Sequence, residues 1–255
     1  MRKRKLGQHF LRDPIVAERE VEYAEVSKED VVLEIGPGWG ILTKKLAEHA
    51  KKVIAIEIDD LLVSHLKVMM PSNVTVIKGD AVEIDFSTIP PFNKIVSNIP
   101  FRISSPITFK LIKQGFDKAV LMYQKEFAER MIAKPGDENY SRLSVAVYYK
   151  TYAKILEKVP RGCFTPPPRV DCCLVELIPR EKPPFEVVNE EFFFNLTREL
   201  FNHRRKKIRQ TLKLLYDRIP NDTPFQDNRV EELKPEEIGV LANHLYEKHG
   251  DIFRH

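Results

Sequence analysis

Residues 31–40 read Val-Val-Leu-Glu-Ile-Gly-Pro-Gly-Trp-Gly, an apolar run that leads directly into a glycine-rich turn. Such a run predicts a buried strand, and glycines after a strand let a ligand approach the backbone closely. A dinucleotide-binding turn would place its third glycine at position 41, but Ile41 stands there and the glycine comes one residue earlier, at Gly40. Glu34, before the turn, favours a ligand with a cationic centre over a pyrophosphate. S-adenosylmethionine, which carries an ammonium and a sulfonium group, therefore fits this turn better than NAD.

Short apolar runs alternate with amphipathic stretches from this turn as far as residue 123. Strands are predicted near residues 31–35, 53–58, 74–78, 94–97 and 119–123, with helices between them, for example at 42–49 and 61–69. This alternation is typical of a doubly wound α/β sheet. The predicted fold class is the Rossmann-like class I S-adenosylmethionine-dependent methyltransferase domain.

The sequence changes character in its last third. Residues 143–149 fit a helix or a strand, whereas 155–159 and 172–178 read as an antiparallel pair of strands at the sheet edge. The proline-rich stretch 179–184 reads as a linker, because prolines cannot continue a helix or a central strand. Beyond it, apolar residues recur at helical spacing. We therefore predict a methyltransferase domain over 1–179, with a basic N-terminal segment, and a small all-helical domain over 184–255.

The net charge of +4 is modest, but the positive charge is concentrated in two runs. The runs consist of Arg2, Lys3, Arg4, Lys5 and Arg12, and of Arg204, Arg205, Lys206, Lys207, Arg209 and Lys213. Without these eleven residues, 30 basic side chains would remain against 37 acidic ones. A single basic run is explained equally well as solvated surface, but two runs together favour a nucleic acid partner. We predict that residues 204–207 contact nucleic acid.

Other features of the composition narrow the class of protein. No apolar run approaches the roughly 18 residues that a membrane span needs, and the basic start has no apolar signal region behind it. The three cysteines show no paired metal-ligand spacing. We expect a cytoplasmic, monomeric protein with no membrane association and no metal.

Acidic residues recur where the second and third strands should end. Glu57 lies 21 residues after Gly36, close to the offset of about 20 at which an acid accepts hydrogen bonds from ribose hydroxyls. Asp80 could accept a hydrogen bond from an adenine amino group. Either acid alone is explained as well by a helix cap. The carboxyl ends of parallel strands lie at one edge of a sheet. Because Glu57, Asp80 and the glycine turn each follow a predicted strand, their positions favour a shared cofactor site at that edge.

The fourth strand ends in Asn98-Ile99-Pro100-Phe101, a sequence whose residue types suit methylation of an adenine amine. That amine is a poor nucleophile because its lone pair is delocalised into the ring. The amide oxygen of Asn98, together with a backbone carbonyl, could accept both amine hydrogens and free the lone pair for in-line attack. Pro100 would stiffen the turn, and Phe101 would offer a stacking face. Alone, this tetrapeptide is also explained as a proline turn beside a core aromatic residue.

With these motifs in place, the chain resembles the ribosomal RNA adenine dimethyltransferase family over nearly its whole length. Besides the motifs above, the matching segments are Gly-Gln-His-Phe-Leu at 7–11, Gln-Lys-Glu-Phe-Ala-Glu-Arg at 124–130, residues 159–171, and Leu-Phe-Asn-His-Arg-Arg-Lys-Lys at 200–207. Phe101 stands where tyrosine is frequent in the family, which keeps the stacking face but loses a hydroxyl. His9 stands where bacterial members commonly have asparagine. Neither departure threatens the resemblance.

The resemblance implies a function and a set of site residues. It implies dimethylation of two adjacent adenosines near the end of small-subunit rRNA, with S-adenosyl-L-methionine as donor and S-adenosyl-L-homocysteine as product. The small ribosomal subunit precursor would be the partner. Implied cofactor-binding residues are His9, Leu11, Gly36, Gly38, Glu57, Asp80 and Asn98, and implied catalytic residues are Asn98, Pro100, Phe101 and, as a second aromatic near the target base, Phe164.

Two alternatives remain open at this point. A DNA adenine methyltransferase could use the same cofactor turn and the same tetrapeptide. A ribosome-assembly or transcription factor on this scaffold could bind nucleic acid without catalysis, although intact Gly36, Asp80 and Asn98 argue against a loss of chemistry.

Overall fold

The computed structural model describes residues 8–216 and 219–248, so the basic residues Arg2, Lys3, Arg4 and Lys5 lie outside the described part. The chain divides into two compact units. The first consists of Met1–Ala128 with Thr151–Pro179, and the second of Glu129–Lys150 with Arg180–His255.

The first unit contains a seven-stranded, mostly parallel sheet, so the predicted α/β fold is confirmed. Its strands, with those of a two-stranded ribbon, are β1 Phe10–Leu11, β2 Val31–Ile35, β3 Lys52–Glu57, β4 Val74–Lys78, β5 Lys94–Asn98, β6 Lys118–Gln124, β7 Thr151–Val159, β8 Phe164–Thr165 and β9 Cys172–Pro179. The sheet order is β4-β3-β2-β5-β6-β9-β7. As predicted, β7 and β9 pair with each other in antiparallel fashion, and β9 also pairs with β6.

Helices lie before, between and after the parallel strands along the chain. They are α1 Pro14–Tyr23, α2 Ile41–His49, α3 Asp60–Met69, α4 Ser104–Leu111 and α5 Lys125–Ile132, which runs across the division between the units. Apolar side chains of α1 and α2, including Val16 and Leu42, form a buried core with Val32 and Val96 of the sheet. The hydrophobic face of each element is thereby removed from water.

Helix α1 is absent from the sequence-based assignment, although its start carries a recognisable signal. Asp13 is the N-cap, its side chain accepts a hydrogen bond from Ile15 N at 2.9 Å, and Pro14 occupies the first helical position. An Asp-Pro pair of this kind is favoured at helix starts because proline has no N–H to leave unsatisfied there.

The strand order reverses between β2 and β5, and this is where a doubly wound sheet opens a crevice. The paired residues of these strands are Val32 with Lys94 and Leu33 with Ile95. Further along, the Ser97 hydroxyl bridges the strands, donating to Ile35 O at 2.6 Å and accepting from Ile35 N at 3.2 Å. The Ser97 hydroxyl thus joins the two strands close to their carboxyl ends.

The second unit is helical, with α6 Arg142–Lys150, α7 Glu190–Phe201, α8 Ile208–Leu215 and α9 Pro235–Lys248. Its boundary differs from the predicted one, because residues 129–150 belong to it. Tyr140 and Tyr149 are buried in one core with Phe193, and the Tyr140 hydroxyl donates to Leu233 O at 2.9 Å. The apolar spacing of α6 could not show which core it joins. In residues 8–216 and 219–248, no helix is long and apolar enough to cross a bilayer.

Candidate active site

A cavity of about 340 Å³ opens at the carboxyl ends of the parallel strands in the first unit. Its lining includes nine of the predicted site residues: His9, Gly36, Gly38, Glu57, Asp80, Asn98, Pro100, Phe101 and Phe164. A ligand-sized cavity with a few convergent polar groups is typical of small-molecule sites. The fold therefore brings together residues that are up to 155 positions apart in sequence.

Two residues named in the sequence analysis lie elsewhere. Leu11 is 8% exposed, and its side chain packs in the core rather than lining the cavity. Glu34 is 2% exposed and is also not a lining residue, so its carboxyl is not placed to contact a cationic ligand there. The reason is strand alternation, which turns Glu34 away from the side that Ile35 presents to the cavity.

The glycine turn lies directly against the acceptor tetrapeptide. Gly36 has a φ of +70°, and its N–H donates to Ile56 O at 2.8 Å. A Cβ added at Gly36 would lie 2.7 Å from Pro100 Cγ, well inside van der Waals contact. Glycine is required here by both the left-handed backbone and the close approach.

The carboxylates at the strand ends are held in place by backbone N–H groups. Glu57 Oε1 accepts from Ile58 N and Asp59 N, both at 2.9 Å, and Oε2 accepts from Gly38 N at 3.3 Å. Burial raises the pKa of Glu57, and these N–H donors partly offset that rise. Asp80 Oδ1 accepts from Val82 N at 2.9 Å. Both acids are therefore oriented at the cavity wall before any ligand binds.

The acceptor tetrapeptide leaves β5 in a defined conformation. Asn98 is the last residue of β5, and the next residue is fixed by a hydrogen bond from Ile99 N to Met122 O at 3.2 Å. Pro100 precedes a 3₁₀ helix, Phe101–Ile103, that the sequence analysis did not predict. The Asn98 Oδ1 atom is buried and has no hydrogen-bond partner within the described residues. A buried acceptor without a partner is costly, which marks Oδ1 as a site for a ligand donor.

Aromatic rings cluster beside this acceptor. The His9 and Phe101 rings are stacked with centroids 5.5 Å apart, and His9 Nδ1 lies 2.7 Å from Pro166 O. Ribbon strand β1 pairs with β8, which aligns Leu11 with Phe164. Phe164 is thereby brought to the cavity wall from far along the chain, and Phe101 remains half-buried with part of its ring exposed.

Sequence reasoning missed several lining residues, and of the arginines near Phe164 it singled out only Arg12, as part of the first basic run. Arg102 lines the cavity beside Phe101. Arg12 Nε donates to Gly162 O at 3.2 Å, and Arg161 Nη1 donates to Arg169 O at 3.4 Å. These arginines lie far apart in the sequence. Their position near Phe164 is therefore shown only by the pairing of β1 with β8.

The basic turn at residues 202–207 lies in the second unit, and its charges are not equivalent. Arg204 Nε contacts Glu231 Oε2 at 2.9 Å, and Lys207 Nζ lies 3.5 Å from Asp227 Oδ1. Arg205 and Lys206 are exposed and have no ion-pair partner in the described part of the chain. The predicted contact with nucleic acid at 204–207 is therefore best supported at Arg205 and Lys206.

Known proteins show close similarity to this chain. The model of the ribosomal RNA adenine dimethylase family matches residues 1–245. A probable ribosomal RNA small subunit methyltransferase A from Methanosarcina acetivorans is 46% identical over 254 residues, covering 94% of this chain and 92% of that protein. A protein of the same name from Thermococcus sibiricus is 50% identical, with coverage of 94% and 90%.

Solved structures agree with these relatives. A dimethyladenosine transferase from Plasmodium falciparum superposes with a TM-score of 0.79 at 34% identity, covering 96% of this chain and 99% of that one. The 23S rRNA methyltransferase ErmE gives a TM-score of 0.67 at 28% identity, with coverage of 93% and 100%. The strand order, the cavity residues and these similarities agree, and the chain belongs to the ribosomal RNA adenine dimethylase family of methyltransferases.

Proposed function

We propose that this rRNA adenine methyltransferase dimethylates the exocyclic amines of two adjacent adenosines near the 3' end of small-subunit rRNA. The donor would be S-adenosylmethionine and the product S-adenosylhomocysteine, with no metal involved. The names of the relatives, which are probable small subunit methyltransferases, support a small-subunit substrate.

The observation that carries the proposal is the buried, unpartnered Oδ1 of Asn98, a residue that lines the cavity. An amine donor fits an orphaned amide oxygen, whereas a carbonyl or phosphate oxygen does not. By accepting an amine hydrogen, Asn98 Oδ1 would pull the nitrogen toward tetrahedral geometry and free its lone pair for attack. The half-buried Phe101 ring would hold the base by stacking, a contact worth about 1 to 3 kcal/mol. The base would have to be exposed or flipped to reach it.

The remaining cavity residues fit the cofactor. Glu57 presents an oriented carboxylate that would accept hydrogen bonds from ribose hydroxyls. The Asp80 carboxylate would accept a hydrogen bond from an adenine amine. Gly36 and Gly38 leave the turn without side chains where the ligand passes. When bound, S-adenosylmethionine supplies an electrophilic methyl group on its sulfonium. The role of the protein is then to position the amine and exclude water, and no strong base is needed.

The partner would be a precursor of the small ribosomal subunit, and the enzyme would act as a cytoplasmic monomer. Arg205 and Lys206 would contact rRNA phosphates, as would Arg12, Arg161 and Arg169 in the segments next to the β1–β8 ribbon. The similarities favour this substrate over the DNA and non-catalytic alternatives, since the matched names are those of rRNA methyltransferases.

The proposal is tested by methyl transfer from labelled S-adenosylmethionine to unmethylated small ribosomal subunits. Asn98→Ala should nearly abolish transfer while the dissociation constant of the cofactor changes little. Asn73→Ala is a matched control, because it also removes a half-buried amide. The Nδ2 atom of Asn73 donates to Ala47 O at 2.9 Å, and this contact lies away from the cavity. Full activity of Asn98→Ala, or a preference for duplex DNA over subunits, would overturn the proposal.

A further inference from the structure

A lysine of helix α4 holds the loop that follows strand β4. Lys110 Nζ donates to Ala81 O at 3.0 Å and to Val82 O at 2.8 Å, and a third hydrogen bond goes to Ile84 O. An ammonium group has three N–H donors, so these carbonyls use all of them. The same nitrogen lies 4.4 Å from the centroid of the buried Phe86 ring, which adds a cation–π contact. The lysine is therefore fixed in the loop and is not a solvated surface charge.

The loop that this lysine holds forms part of the cavity wall. Its lining residues are Gly79, Asp80 and Ala81. The backbone turns tightly here, because Asp80 O accepts from Ile84 N at 2.9 Å and Asp80 Oδ1 accepts from Val82 N at 2.9 Å. The three carbonyls bound by the ammonium thus belong to the same turn as the Asp80 carboxylate.

Helix α4 is a firm base for these contacts. It directly follows the 3₁₀ helix Phe101–Ile103 of the acceptor segment. Leu111 is 0% exposed, and the hydroxyl oxygens of Thr108 and Tyr123 lie 2.7 Å apart, which ties α4 to β6. Lys110 therefore joins the loop after β4 to an anchored helix beside the acceptor residues.

We propose that Lys110 is a positioning residue for the cofactor, which holds the backbone of this loop so that the Asp80 carboxylate meets the adenine amino group of S-adenosylmethionine. A hydrogen bond weakens steeply when its donor and acceptor are misaligned, so the carboxylate must be held on a fixed backbone. Removing the ammonium would take the common donor from three carbonyls and allow the turn to move. This inference rests on the proposed role of Asp80 in cofactor binding.

The test measures recognition of the adenine amino group and needs no methyl transfer. Calorimetric titration of the full-length protein gives the dissociation constants of S-adenosylhomocysteine and of S-inosylhomocysteine, its deaminated analogue, which carries a carbonyl oxygen in place of the amino group. A carboxylate accepts a hydrogen bond from the amino group but not from the carbonyl oxygen, so the wild type should prefer S-adenosylhomocysteine. Asp80→Asn keeps an oxygen for Val82 N but loses the carboxylate, and should lower this preference by about 10- to 100-fold.

Lys110→Met should lower the same preference by about 10-fold, because a displaced carboxylate loses much of the same hydrogen bond. Adding Lys110→Met to Asp80→Asn should have little further effect on the preference, since both changes remove one interaction. Lys110→Gln keeps N–H donors without the charge, and its preference should lie between those of the wild type and Lys110→Met. Lys113→Met is the matched control, because it removes an exposed lysine three residues along the chain and should keep the wild-type preference.

The outcomes separate this inference from the proposed function. Wild-type preference in a folded Lys110→Met or Lys110→Gln protein, beside a reduced preference in Asp80→Asn, would overturn the inference and leave the proposed function standing. Failure of both lysine variants to fold, as seen by calorimetric melting, would show a general structural role and would also overturn it. Unchanged preference in Asp80→Asn would overturn the proposed role of Asp80, and the role of Lys110 with it.

Discussion

Replacing Gly36 with alanine tests the contact between the glycine turn and the acceptor tetrapeptide. The left-handed φ of +70° alone should cost about 1 to 2 kcal/mol for a residue with a Cβ. The new Cβ would also lie 2.7 Å from Pro100 Cγ, about 1 Å closer than the carbon–carbon optimum. The side chain of Pro100 is a rigid ring, so the residue must shift or become strained. Either response adds about 1 to 3 kcal/mol to the loss of stability.

The shift should reach the chemistry, because Pro100 follows Asn98 by only two residues. A displacement of about 1 Å in a positioned group can lower the rate about 100-fold. We therefore expect Gly36→Ala to destabilise the protein by roughly 2 to 5 kcal/mol and to lower kcat for methyl transfer by about 100-fold. Calorimetric melting and single-turnover transfer to unmethylated small subunits measure the two effects.

Gly136 supplies a matched control. Its φ is +87°, but an added Cβ would meet nothing within 4 Å. Gly136→Ala should therefore show only the backbone cost of about 1 to 2 kcal/mol and unchanged kcat. Equal losses of stability in the two variants, or wild-type kcat in Gly36→Ala, would refute the steric argument.

Two further predictions concern buried and surface charge. Burial raises the pKa of Glu34 from 4.5 to about 8, so the folded protein keeps a proton that the unfolded chain releases, and stability falls as pH rises through this window. Glu34→Gln should remove that fall, so its advantage in melting temperature over the wild type should grow from pH 5 to pH 8; parallel curves would contradict this. Charge reversal at Arg205 and Lys206 should weaken rRNA binding. It should also reduce the slope of the logarithm of the binding constant against the logarithm of the salt concentration by about 1.5. Neutralising Arg204 and Lys207, which already have carboxylate partners, should cost less; equal effects in salt titrations would argue against this distinction.

The parallel half of the fold could be predicted from sequence because its signals are local. The predicted strands at 31–35 and 74–78 have the same first and last residues as β2 and β4. The other strands differ from their predicted bounds by a few residues at the ends. Glu57 and Asp80 were located in the same way, since the carboxyl ends of parallel strands share one edge.

The features that sequence reasoning missed depend on contacts between distant segments. Phe164 reaches the cavity through pairing of β1 with β8, over 150 residues apart, and was named only through family resemblance. Glu34 was assigned to a ligand because the identity of a residue does not show which face of the sheet it occupies.

Mass analysis of the product adenosines asks directly whether this protein dimethylates adenosines of small-subunit rRNA. Unmethylated small ribosomal subunits would be incubated with the purified protein and S-adenosylmethionine, and the rRNA digested to nucleosides and to fragments. N6-dimethyladenosine is expected at two adjacent positions near the 3' end of the small-subunit rRNA with the wild-type protein, and none is expected with Asn98→Ala. Methylation confined to another base, or no transfer to the subunit by the wild-type protein, would contradict it.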